Sequence, residues 1–283
     1  MGFDFTDAHV HFWDSSLRRY PWLADVPSIA SAHGPGDLAR EADGSPPSRV
    51  VFVQADCDRA AAMDEVSWVE SIAAQAVPVA GIVAFAPMDA GAGTLEALRT
   101  LVGRPLVRGV RHLIQGEADP AFCLSPAFLG GVRACGEFGL SFDLCVRHSQ
   151  LASVVELVRL CPATTFILDH AGKPDLRSGR LEAWRRHIGE IAGSANVTCK
   201  LSGLVTEAGA AALDPGRFVP TISHLIETFG PARLLFGSDW PVVKLASPYS
   251  TWLRMARALL EHLPDPDQEA IFNGNAGRVY RLG

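Results

Sequence analysis

Short runs that are apolar on both faces alternate along this chain with longer stretches whose apolar residues recur every three or four positions. The runs are Asp4–Phe12, Arg49–Gln54, Val79–Phe85, Val107–Gln115, Ser141–Val146, Thr165–His170, Val197–Leu204 and Leu234–Trp240. Strands of this kind belong to a parallel sheet covered by helices. The longer stretches, Arg59–Ala76, Gly93–Val102, Ser125–Phe138, Ser149–Leu160, Leu181–Ala192, Arg217–Phe229 and Pro248–His262, predict helices. In the first, Met63, Val66, Val69 and Ile72 fall at three-residue steps. Ser149 stands where an N-cap belongs, and Gly139 and Gly230 where glycines close helices.

Eight strands, each followed by a helix or helical tail, is the count of an α/β (β/α)8 TIM barrel. An open doubly wound sheet would carry a glycine-rich phosphate turn after its first strand, and HVHFWDSS has none. Two features depart from the ideal. Residues 13–48 form a long Pro/Gly/Ser-rich loop after strand one, and residues 265–283 add a terminal helix or tail. No linker divides the chain, so residues 1–283 read as one domain. Ser71–Met88 is uncharged over nearly a membrane-spanning length. Pro78, Gly81 and Pro87 divide it into a helix end, a turn and a buried strand, which argues against a membrane protein.

The balance of charge narrows the partners. With 25 Lys+Arg against 31 Asp+Glu the net charge is −6, without the basic excess of a nucleic-acid binder. The 6 Cys form no C-x-x-C pair, and MGFDFTDAH lacks the basic and apolar regions of a secretory leader. The expectation is a reduced, cytoplasmic protein acting on a small molecule. Its apolar helices leave room for a homodimer without specifying one.

In a barrel, chemistry gathers at the carboxyl ends of the strands. Strand one, FTDAHVHFW, places Asp7, His9 and His11 two apart, hence on one face. The two imidazoles either hold a divalent ion or are incidental. Strand six ends in Asp169-His170 before a Gly-Lys-Pro turn, and strand eight in Asp239. Each of these acids caps a loop or takes part in chemistry. Strand four offers Arg111 and Gln115 on one face and His112 on the other, and either face could line the lumen. Lys200, inside an apolar run, is a substrate-contacting cation or a salt-bridged strut. Asp143, Arg147 and His148 near the end of strand five, and Gln54 at the end of strand two, complete the candidates. Trp22 and His33 lie in a stretch that covers the mouth, either as an ordered loop or as an aromatic lid. His187, His224 and His262 fall on helices and read as surface residues. G-x-S-x-G, P-loop and dinucleotide motifs are absent.

DAHVHFWD, GVRHLIQ, FDLCV, LDHAGKPD, CKLSGL and FGSDWPV occur in this order, and IFNGNAGRVYRL closes the chain. Together they resemble the amidohydrolase superfamily, specifically its amidohydrolase 2 group of sugar-lactone and pyrone-dicarboxylate lactonases. The resemblance runs nearly the whole length. It implies a barrel that opens a sugar-acid lactone, such as an L-fucono- or L-rhamnono-lactone, by water attack on the lactone carbonyl. It assigns metal ligation to His9, His11, His170 and Asp239, and the strand-four arginine to Arg111. No bridging Lys or Glu ends strand four and no His ends strand five, which points to one divalent ion, zinc, dispensable in some relatives, rather than two. Under this reading Asp239 takes a proton from water and Asp239 or His170 returns one to the ring oxygen. Arg111, His112, Lys173, Lys200, Gln54, Asp143 and Trp240 bind or orient the substrate. A dicarboxylate would demand several converging arginines, so a sugar lactone fits better. The alternatives are a metal-dependent decarboxylase of the same superfamily, a pyrone-dicarboxylate-type lactonase and a non-catalytic barrel that binds a sugar acid.

Overall fold

The structure is a computed structural model that describes residues 4–209 and 214–283. Eight parallel strands follow one another in chain order: β1 (Thr6–Val10), β2 (Arg49–Val53), β3 (Val79–Phe85), β4 (Val107–Arg111), β5 (Ser141–Leu144), β6 (Thr165–Leu168), β7 (Val197–Leu201) and β8 (Leu234–Phe236). The first and last strands meet just beyond β8, through a Val10–Trp240 bridge. There Asp239 N donates to His9 O (2.9 Å) and His11 N to Trp240 O (2.7 Å). This is the expected (β/α)8 barrel, with α1 (Pro35–Glu41), α2 (Ala62–Ile72), α3 (Ala92–Val102), α4 (Pro126–Glu137), α5 (Leu151–Leu160), α6 (Glu182–Ala192), α7 (Leu204–Ala208), α8 (Val219–Phe229) and α9 (Tyr249–Leu260) around it.

Val51, Val53, Val83, Ile167 and Leu235 fill the lower lumen. A larger apolar layer, including Phe52, Val110, Phe142, Phe166 and Leu168, packs outward against the helices. The last residues close the lower end. After α10 (Asp265–Glu269) and a π-helical turn, α11 (Asn275–Val279) packs Ala276, Val279 and Tyr280 against the luminal side chains. The terminal helix expected from the sequence is thus the floor of the barrel.

The long loop carries structure of its own. It contains α1 and 3-10 turns at Pro21–Asp25 and Pro27–Ile29, pinned by the Trp13–His33 bridge. Residues 71–88 divide as expected into the end of α2, a turn and β3. No helix among the described residues is long and apolar enough to cross a membrane. All six cysteines are free and buried. Gly139 and Gly230 follow α4 and α8 with φ of +69° and +68°, a backbone that side chains with a Cβ disfavour.

Three local expectations are corrected. Ser149 is not the N-cap of α5, because a 3-10 turn over His148–Gln150 leads into that helix and Gln150 occupies the cap. The strand runs are shorter than the apolar pattern, because burial continues past the last ladder hydrogen bonds into the loops. Asp7 does not share a face with His9. The β1–β2 register breaks between Asp7 and Val10, so the alternation of a regular strand fails there. Asp7 Oδ1 instead accepts from Ser238 N (2.8 Å) and His9 N (3.2 Å), and burial pushes its carboxyl up to about 6.

Candidate active site

The carboxyl ends of the strands surround a pocket of about 200 Å³, lined among others by His11, Trp22, Asp56, Arg111, His170 and Asp239. Asp239 Oδ1 is its focus. It lies 3.3 Å from His11 Nε2, 3.7 Å from His9 Nε2 and 4.0 Å from His170 Nε2. Four residues spread over 230 positions of sequence therefore converge on one rim.

Each imidazole is aimed from behind. His11 Nδ1 faces the carbonyl of Val53 at 2.7 Å. His9 Nδ1 faces Asp169 Oδ1 at 3.2 Å. A carbonyl and a carboxylate only accept, which favours a proton on Nδ1 of each ring and turns Nε2 toward the pocket, with the Lys200 ammonium also 3.3 Å from His9 Nδ1. His170 Nδ1 pairs with Ser202 Oγ at 2.9 Å. Burial, the largest influence, holds His9 and His170 well below the ordinary imidazole range and keeps them neutral. Burial pushes Asp239 the other way, but the imidazoles of His170 and His11 and the Lys173 ammonium outweigh it and leave its carboxyl below the usual range.

Lone pairs so arranged fit a cation. The two Nε2 atoms lie 3.2 Å apart, with Asp239 Oδ1 at 3.3 and 3.7 Å. Ligand atoms around a tetrahedral zinc ion, at its usual bond lengths, are separated by about 3.3 Å. His9, His170 and Asp239 also place one ligand atom each within 4.8 Å of one another.

Beneath the histidines lies a buried charge network. Lys200 Nζ is 2.6 Å from Asp143 Oδ2 and 3.0 Å from Asp169 Oδ1, with all three side chains fully buried. Tyr280 OH donates to the same Asp143 oxygen at 2.6 Å, which joins the floor of the barrel to the site. Arg111 Nη1 donates to Asp169 Oδ2 (3.1 Å) and Nη2 to Gln54 O (2.6 Å). Burial raises the Asp169 carboxyl, but Lys200, His9 and Arg111 prevail and hold it well below its usual range. Asp143, with Lys200 opposing the larger effect of burial, sits up at about 6.

The structure therefore separates the expected substrate contacts. Arg111 and Lys173 reach the pocket lining, while Gln54, His112, Asp143, Lys200 and Trp240 do not. His112 faces outward, where Nδ1 accepts from Met88 N at 3.1 Å and its ring meets Phe85, Phe122 and Phe128. The choice left open for strand four is settled, because the guanidinium occupies the lumen. Trp240 donates its indole N–H to Glu41 (2.8 Å). Lys173 Nζ donates to Gln115 Oε1 (2.5 Å). Trp22 lines the mouth, whereas His33 packs behind, against Trp13 and Trp240. Arg147 is exposed and donates to Gln115 O.

Asp56, Leu113, Cys145 and Val242 line the pocket without having been singled out. Asp56 carried a usable signal, since an acid two residues past an apolar strand end lies at the catalytic rim. Asp56, His170, Lys173 and Asp239 all have positive φ, between 49° and 63°, a backbone that costs energy outside glycine and gathers at functional sites.

Gly237 gives His9 its room. A Cβ there would lie 2.8 Å from His9 Cβ and 3.2 Å from Ser202 Cβ. We expect Gly237→Ala to push His9 off its line and weaken metal binding by roughly 10–100-fold, the usual effect of disturbing the support of a ligand. A zinc titration of the folded variant checks this, and unchanged affinity would contradict it.

The fold and this site define a barrel hydrolase of one recognisable class. The sequence pattern of the amidohydrolase family matches residues 6–282, and the chain belongs to that family. L-fucono-1,5-lactonases of Burkholderia ambifaria and Burkholderia multivorans are 32% and 33% identical over 281 and 288 residues, covering 98% of this chain and 95% of each relative. A crystal structure of an amidohydrolase from Burkholderia multivorans with bound zinc is 32% identical, has a TM-score of 0.88 and covers 99% of this chain and 100% of that one.

Proposed function

We propose that this protein hydrolyses the ring ester of a sugar-acid lactone with the help of one divalent ion, zinc in the first instance. The observation that carries the reading is the convergence of Asp239 Oδ1 with the Nε2 atoms of His9, His11 and His170 at the small pocket on the carboxyl rim of the barrel. The lactonase names of relatives that cover nearly the whole chain support it.

His9, His11 and Asp239 would hold the ion, with His170 beside them. When bound, it supplies a Lewis acid for the carbonyl and the attacking water. Asp239 Oδ1 faces the imidazoles, which leaves Oδ2 to take the proton of a water approaching the carbonyl. The ring oxygen departs as the tetrahedral adduct collapses and needs a proton. His170 Nε2, within 4.0 Å of Asp239, is placed to carry that proton across. Asp169 and Val53 O keep His9 and His11 in the tautomer that leaves Nε2 free. Lys173 orients the substrate from the rim, and Arg111 stiffens the wall. Asp143, Lys200, Gln54 and Trp240 act from behind it.

A pyrone dicarboxylate lacks a cradle here. Both terminal nitrogens of Arg111 are engaged by Asp169 and Gln54, and Asp56 adds negative charge to the lining. Six buried, unpaired thiols suit a reducing cytoplasm.

The test is a pH-indicator screen of five- and six-membered sugar lactones on metal-analysed protein. Acid release from sugar lactones, and none from amides or aromatic acids, is the expected result. Carbon dioxide release from an aromatic acid, or lactone binding without turnover, would overturn the reading. A chelator should abolish lactonase activity and lower Tm, and zinc should restore both, because an ion bound only by the folded state stabilises it.

A further inference from the structure

We propose that Asp56 recognises ring hydroxyls of the substrate, and so makes the pocket one for neutral polyhydroxylated rings. This rests on the lactonase reading for the reaction, but the hydroxyl recognition is read independently of it.

Asp56 follows β2 and lines the pocket. Its carboxylate accepts no hydrogen bond from any described side chain or backbone N–H, unlike Asp143, Asp169 and Asp239, which all face partners. The segment that carries it is held on three sides. Asp56 N donates to Gln54 Oε1 (2.6 Å), Ala55 N to Glu65 Oε1 (3.2 Å), and the Trp22 indole N–H to Ala55 O (2.8 Å). Gln54 and Glu65 are buried, and Trp22 reaches this segment from the loop after β1. These contacts hold Asp56 at φ +58°, a conformation uncommon outside glycine that Asp and Asn adopt more readily than most residues. Glu65 of α2 and Trp22 of the loop after β1 thus fix the segment from two other elements, and they set a carboxylate without a hydrogen-bonded partner at the mouth.

An ionised carboxylate is acceptor-only and can take two O–H donors at once, which suits neighbouring hydroxyls on a sugar ring. The adjoining indole of Trp22 offers an apolar face beside it. The same charge disfavours a substrate that carries its own carboxylate near this point.

The test separates recognition from hydrolysis. A 1,5-anhydroalditol presents the ring hydroxyls without an ester. Calorimetry with it and with its deoxy analogues compares the wild type with Asp56→Asn and Asp56→Ala, where Asn tolerates the left-handed backbone. The wild type should prefer the full polyol over at least one deoxy analogue. Both variants should lose that preference, with polyol affinity falling roughly 10–100-fold, the value of hydrogen bonds to a charged acceptor. Zinc content should stay unchanged. In lactone kinetics KM should rise with kcat nearly constant. Equal preference in wild type and variants, or a loss confined to kcat, overturns the role of Asp56. If the wild type binds the polyol as expected but hydrolyses no lactone, the inference stands and the reaction assigned above fails.

Discussion

Asp239→Asn should lower kcat/KM for a sugar lactone by about 10²–10⁴-fold, the range of a lost general base, while leaving the barrel folded. Asn keeps the shape of the side chain and one oxygen, so the cavity does not collapse. It loses the negative charge and the second acceptor that would take the proton from water. The backbone should tolerate the change, because Asn adopts the left-handed conformation more readily than most residues, and position 239 has φ +63°. Zinc affinity should also fall, because Asp239 Oδ1 is the carboxylate oxygen that faces the Nε2 atoms of all three imidazoles. Adding zinc separates the two losses. Saturation should refill the site without restoring the rate. A variant that regains parental turnover at saturating zinc would show that Asp239 only holds the ion and that the base lies elsewhere.

The barrel was legible because its strands are buried on both sides, and eight apolar runs separated by helical periods admit few other arrangements. His9, His11, His170 and Asp239 were legible as strand-end chemistry. What hydrophobicity does not encode is where a strand stops. Leu168 is the last residue of β6, yet Asp169 and His170 are buried as deeply as the strand and read as part of it. The facing of side chains was hidden for a related reason. Nothing in VRGVRHLIQ distinguishes Arg111 from His112 as the inward residue, because the outward face of β4 is equally buried under Phe122 and Phe128. Asp7 misled because the two-residue rule assumes a regular strand, and the register of β1 breaks after it. Tyr280 gave no local sign. Its partner Asp143 lies 137 positions away, and only the return of the terminal helix beneath the lumen joins them.

The largest effect on stability should come from Lys200→Met, with a loss of about 3–5 kcal/mol, typical for removal of one partner from a buried ion pair. Met matches the length of the lysine stem and fills its space, so the cost is electrostatic rather than a cavity. Burial acts against the charge on Lys200, but Asp143 and Asp169 more than compensate and raise its pKa. Without the ammonium, Asp143 keeps Tyr280 and Asp169 keeps Arg111, and one negative charge in the lumen is left unmatched. In a chain of this size the melting temperature should drop by on the order of 10 °C. The double variant Lys200→Met with Asp143→Asn removes the charge that is left over. It should recover a substantial part of the loss, because two residues in direct contact do not contribute additively. Thermal unfolding of the two single variants and the double variant closes the cycle. If the losses simply add, the cluster is not a coupled unit, and the claim that charge balance beneath His9 supports the barrel falls with it.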